Sequence, residues 1–202
     1  MKLMMRILAV SALAVTASAC AGLLGGGAKT PATLQTLTAE APDPGPVTRS
    51  GAAGQSVTVD VPVVAKELRA VRVPVQVTPT DVQYVANLQW IDTPDKLFQQ
   101  LVAETIRRTT NRVVLDSRLR TLDPGLLLSG QLQKFGYDAA SGQVVVEYDG
   151  ALSTGGGNRV EARRFVATAP ADGTAASVGP ALNHAANQVA AEVAGWVGNS
   201  AG

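Results

Sequence analysis

Apolar and polar positions separate most clearly over residues 82–91, "VQYVANLQWI". Val82, Tyr84, Ala86, Leu88 and Trp90 occupy every second position, with Gln83, Asn87 and Gln89 among the residues between them. That alternation predicts a strand with one packed face and one wetter face. The period then lengthens. Over residues 93–111 Leu97, Phe98, Leu101, Val102, Thr105 and Ile106 recur at helical spacing, so they should face a sheet. The flanks agree: Thr93 suits an N-cap, Pro94 the first helical position and Asp95 the positive end of the dipole. Arg107 and Arg108 sit near the negative end, and Asn111 is the stop. A second helix is predicted over residues 175–197, where Val178, Leu182, Ala185, Val189, Val193 and Trp196 form one stripe on a small or polar background.

The remaining patterned stretches read as strands. Residues 57–64 ("VTVDVPVV") alternate and are β-branched, with Pro62 pushing them towards an edge or a strand end. Residues 70–77 look extended, but Pro74 argues against a continuous central strand. Residues 126–135, 143–152 and 159–167 are separated by "DAASG" and "STGGGN", turn material that predicts an antiparallel meander. Residues 33–38 ("TLQTLT") form a weak first edge strand, and residues 41–56 are a Pro- and Gly-rich loop. The fold class expected is α+β: one mostly antiparallel sheet with two helices packed on one face.

Ahead of this lies a different kind of sequence. Lys2 and Arg6 precede an apolar run over residues 7–15, and no acidic residue occurs before Cys20. Ala17, Ser18 and Ala19 then supply small side chains for a peptidase groove, so residues 1–19 read as a signal peptide. Residues 20–31 are glycine-rich and read as a flexible tether, and residues 32–199 as the folded domain. Cys20 is the only cysteine, so it makes no internal disulfide. With three small residues before it, the site resembles a bacterial lipobox, although Ala17 stands where leucine is commonest. The resemblance implies that Cys20 is diacylated on sulfur and acylated on its new amine. Several acyl chains hold a protein stably at a membrane where one is marginal. Ala21, not being aspartate, implies sorting to the outer membrane by the enterobacterial rule.

Composition narrows the class further. The chain has 202 residues, 46% apolar and 16% charged, which suits one globular domain. Its formal charge of +1 becomes −1 once Lys2 and Arg6 are removed, leaving 15 basic and 16 acidic residues. That balance excludes the electrostatic footprint of a nucleic-acid binder. After Cys20 no apolar run approaches the length of a membrane helix. His184 is the only histidine and has no acid at i±3 or i±4, so no local catalytic triad forms around it. Glu147 and Asp149 share a strand face, which on an exposed meander is a solvated surface. No cofactor or metal motif is found. Arg107, Arg108, Arg112, Arg118 and Arg120 cluster after the first helix. They either meet anionic headgroups or an acidic partner, or they complement the helix end, interleaved with Asp116 and Asp123.

Residues 71–106, "VRVPVQVTPTDVQYVANLQWIDTPDKLFQQLVAETI", resemble the ABC-type transport auxiliary lipoprotein family. An extended segment is followed by a tyrosine-containing strand ending in tryptophan and then by a Pro-Leu-Leu helix; Tyr84, Trp90, Pro94, Leu97 and Leu101 stand in those places. Phe135, Phe165 and an alanine-rich helix closing near Trp196 extend the match over about residues 33–197. The resemblance implies a non-catalytic outer-membrane lipoprotein of an MCE-type ABC lipid transport system. There an inner-membrane transporter supplies energy and an MCE-domain protein bridges the periplasm. The lipoprotein meets that protein at the outer membrane, facing the periplasm. The implied partners are the MCE-domain protein and the membrane itself, with a homo-oligomer also compatible and no nucleic acid. Two other readings stay open: a lipoprotein assisting another outer-membrane machine, such as lipopolysaccharide export, and an anchored hydrolase.

Overall fold

Strand β6 (Leu126–Asp138) organises the sheet because it is long enough to carry three neighbours end to end. Along one edge it pairs in parallel with β1 (Ser56–Val59), then β2 (Val63–Val64), then β3 (Arg72–Gln76). Along its other edge it pairs antiparallel with β7 (Gln143–Ser153), which pairs antiparallel with β8 (Val160–Pro170). Strand β4 (Val82–Gln89) adds outside β3 and β5 (Val113–Leu115) outside β1. The computed structural model describes residues 33–200, apart from 53, 124 and 155–158 and the side chains of residues 120 and 122. The signal peptide, Cys20 and the tether predicted through residue 31 lie outside the described residues.

The meander β6–β7–β8 is as predicted, each strand pairing antiparallel with the next. The sheet as a whole is mixed rather than mostly antiparallel, which corrects the expectation. The chain runs β1, β2 and β3 in one direction along β6, then returns through β4, helix α1 (Pro94–Thr109) and β5 before β6 begins. Parallel partners require such a long crossover. No local turn signal announces it.

Helices α1 and α2 (Ala175–Asn199) cover the same sheet face. A line of rings shows this: Phe98 of α1 lies 5.2 Å from Tyr148 of β7. Tyr148 is 6.4 Å from Phe165 of β8, which is 5.6 Å from Trp196 of α2. Each such pair contributes about 0.5–1.5 kcal/mol beyond area burial. Gly150 makes room for them, since a Cβ there would meet Tyr148, Trp196 and Phe165 at 3.0–3.4 Å. Burial of the Tyr148 phenol, with Asp60 nearby, raises its pKa well above the usual range, and its hydroxyl donates to Ser129 O at 2.9 Å. The predicted α2 stripe is buried, except that Trp196 is half-buried at its end. The alanine side is buried too, through Ala186, Ala190 and Ala194.

Two strand expectations are overturned. In β4, Leu88 and Trp90 are buried as expected, but Val82 and Ala86 are exposed, Tyr84 is half-buried, and Val85 is inward. The register with β3 steps from Pro74↔Tyr84 to Arg72↔Gln89, so one residue of β3 faces four of β4. An odd excess moves the following residues to the opposite face. Asn87 takes the turn at φ 58°, a left-handed conformation asparagine tolerates better than most residues. Pro74, against expectation, sits in a strand with neighbours on both sides. Its pairing with β6 begins only at Val75, and Gly136 opposite has no side chain to collide with it: a Cβ there would lie 2.5 Å from Pro74 O.

Candidate functional site

Where the described chain begins, residues 34–41 form an extended strap. Gln35, Leu37 and Ala39 are half-buried, whereas Leu34, Thr36, Thr38 and Glu40 are exposed. Its first contact is a single parallel bridge to Trp90, all that forms of the predicted edge strand. Gln35 N donates to Gln89 O and Ile91 N donates to Gln35 O, each at 2.8 Å. Beyond that bridge no strand lies alongside, and side chains from α2 serve the backbone instead. Thr38 N donates to Asn183 Oδ1 at 2.8 Å and Glu40 N to Asn187 Oδ1 at 2.7 Å. The Asn187 amide also donates to Thr38 O and Asn183 O, both at 2.9 Å. Asn187 is buried, and these bonds fill its acceptor and both donors. From α1, Arg108 donates to Ala41 O at 2.8 Å. The strap thus bridges both helices.

His184 of α2 faces this strap, and here the sequence reading is corrected. Its orienting acid does exist: Glu40 Oε2 is 3.2 Å from His184 Nδ1, brought from 144 residues away. The other ring nitrogen faces Gln188 at 3.2 Å. Both members of the pair are about half exposed. Among the described residues no hydroxyl or thiol stands on either nitrogen, so the pair does not complete a Ser- or Cys-type triad.

The arginines do not gather into one patch. Arg107 and Arg108 pair with Glu104 at 3.4 and 2.8 Å, and Arg118 pairs with Asp116 at 3.0 Å. The hydrogen bond from Arg108 comes first in holding the Glu104 carboxyl below its usual pKa. Arg112 donates to the carbonyls of Val197 and Gln55 at 3.0 and 3.3 Å and to Ser200 O, tying down the end of α2. The Arg120 side chain lies outside the described ones. Asp123, rather than meeting an arginine, accepts from the backbone of Gly54, Ser56 and Gly125. Each of the four described arginines thus has a partner within the domain, while Arg107 and Arg118 stay exposed.

Glu147 and Asp149 occupy the sheet face away from the helices. Lys134 and Arg164 lie 3.3 and 3.2 Å from Glu147, and Arg164 grips Asp149 at 2.6 and 2.8 Å. That bidentate contact holds the Asp149 carboxyl below the ordinary carboxylate range. With their charges matched, the two carboxylates make a cross-strand ladder rather than an acid/base pair. A groove of about 760 Å³ lies where α1 and α2 end, and among the described residues Arg112 is the one charged side chain lining it. Among the described residues no group of His, Cys, Asp or Glu could hold a metal, and no helix is long and apolar enough to cross a membrane.

The model of the ABC-type transport auxiliary lipoprotein component matches residues 36–194, from the strap to the last turns of α2. The chain belongs to this family. No curated protein matches it. In fold it is similar to protein XCC0632 from Xanthomonas campestris, of family DUF330, at TM-score 0.67 and 21% identity over 82% of this chain and 95% of that one. A second crystal structure, of an uncharacterized protein, aligns at TM-score 0.58 and 15% identity over 82% and 99% of the two chains. Membership makes the chain an auxiliary lipoprotein component of ABC-type transport. The strap's partners were missed in the sequence, although Asn183 and Asn187, four apart on an alanine-rich helix, are the signal that marks them.

Proposed function

We propose that this protein is a non-catalytic outer-membrane lipoprotein of an MCE-type ABC lipid transport system, docking the periplasm-spanning MCE-domain protein at that membrane. The family match over the whole folded domain carries the reading. Two further features support it. Cys20 follows a charged start, a short apolar run and three small residues, the arrangement that would place acyl chains on the mature N-terminus. The polar groups that a catalytic site would use are committed to holding the strap, the helix ends and the open sheet face.

The test is purification of the acylated protein from membranes, followed by identification of what accompanies it and by intact mass. The MCE-domain protein should co-elute, and the mass should place three acyl chains on a chain starting at Cys20. An unmodified thiol would sink the anchor; recovery of lipopolysaccharide-export proteins instead would favour that machine.

A further inference from the structure

The strap fixes where the tether joins the domain, and that point carries an unusual surface. Leu34 is 46% exposed and Ile91 62%. The bridge places Gln35 beside the buried Trp90, so their chain neighbours Leu34, Thr36, Gln89 and Ile91 turn to the other side. Arg72 is the cross-strand partner of Gln89 and therefore shares that side, its guanidinium 3.8 Å from the Tyr84 ring centroid. Arg69 lies on the turn leading into β3 and is exposed. Among the described residues neither arginine has an ion-pair partner, while the nearby acid Asp92 is already paired with Lys96 at 3.1 Å.

We infer that this end of the domain rests on the bilayer that holds the acyl chains, with Leu34 and Ile91 entering the headgroup boundary and Arg69 and Arg72 meeting lipid phosphates. The inference rests on the reading of Cys20 as the acylated residue. Twelve residues lie between Cys20 and Thr33. Covalent linkage through so few residues keeps the face at high effective concentration beside the membrane. Apolar side chains ringed by cations suit an interfacial contact. Gln35 lies over Gly179 near the start of α2, where an added Cβ would come within 3.3 Å of Gln35 Oε1. The far end of α2, with Arg112 and the turn Ser117–Leu122, therefore points away from the bilayer.

Acylation of Cys20 leaves the chain without a free thiol, so one introduced cysteine can be labelled alone. Acylated Ile91→Cys, Thr36→Cys and Ser117→Cys proteins would each carry an environment-sensitive fluorophore on vesicles of phosphatidylethanolamine and phosphatidylglycerol. Emission should shift to the blue at positions 91 and 36 and stay unshifted at 117. Adding Arg69→Glu and Arg72→Glu should remove most of the shift while the protein stays on the vesicles. Retention with equal emission at 91 and 117 overturns the inference and leaves the anchor standing. Failure of the protein to stay on vesicles overturns both.

Discussion

Replacing Trp90 separates core packing from surface recognition. Its ring is 1% exposed and 5.7 Å from Phe135, and its backbone N donates to Val71 O at 2.7 Å. Truncation to alanine removes a large buried aromatic, which costs about 3–5 kcal/mol out of a typical total of about 5–15. For a domain of this size each kcal/mol moves Tm by about 2–4 °C, so the expected loss is about 6–20 °C. Phenylalanine should behave differently. The Trp90 indole N–H is buried and meets no acceptor among the described residues, and an unmet buried donor costs about 1–3 kcal/mol. Trp90→Phe removes that donor and keeps a ring, so its loss should stay under about 2 kcal/mol because the relief offsets part of the cavity. Thermal melts of the three proteins, with MCE-protein binding measured below every Tm, decide the matter. Binding per folded molecule should be unchanged in both variants. A Trp90→Ala protein with unaltered Tm, or a phenylalanine variant as damaged as the alanine one, would refute the reasoning.

Asn187→Ala should free the strap at a cost of about 1–3 kcal/mol, seen as faster hydrogen exchange at Thr38 and Glu40 with β7 amides unchanged. Arg112→Ala should lower stability by about 2 kcal/mol by releasing the carbonyls that end α2. Arg112→Lys should recover little, because one ammonium cannot span them; urea midpoints read both. The folded-state pKa of Asp149 is depressed by its hydrogen bonds from Arg164. The unfolded chain therefore binds more protons near pH 4, and stability present above that range is lost as pH falls through it. Asp149→Asn should be less stable than the parent at pH 7, with the gap closing as pH falls below the ordinary carboxylate range and narrowing in salt. His184→Ala should leave transport complementation intact, since among the described residues no hydroxyl or thiol stands on its ring nitrogens.

Local signals gave the meander and both helices. Pro94 stands at the first turn of α1, and Thr93 is its N-cap residue, although the Thr93 hydroxyl makes no capping bond. What the sequence hid is non-local or depends on one conformation. A single left-handed residue, Asn87, shifts the side-chain alternation of β4, and periodicity counted across it groups Tyr84 with Leu88 wrongly. Pro74 is admitted to an interior strand only because Gly136 faces it. The parallel pairings of β1, β2 and β3 with β6 join segments more than sixty residues apart, which neither turn chemistry nor amphipathicity records. Glu40 meets His184 for the same reason.

The strap shows why these long-range contacts matter to an anchored protein. Its backbone is satisfied by Asn183 and Asn187, 145 and 147 residues later in the chain. Without those amides and Arg108 the backbone of this extended segment has no hydrogen-bond partner among the described residues past the Gln35 bridge, so residues 36–41 have little reason to dock until α2 is in place. Helix α2 in turn packs on the sheet through Trp196 against Phe165, beside the contact of Phe98 from α1 with Tyr148. The point where the tether leaves the domain is thus defined only after nearly the whole chain has folded. Any force carried from an acyl chain on Cys20 would then fall first on the Asn183, Asn187 and Arg108 bonds and on the Gln35 bridge, before it reaches β1. Asn187→Ala weakens that path while sparing the sheet, which makes it the variant that distinguishes a strap holding the domain in a fixed attitude from a mere cover over the helices.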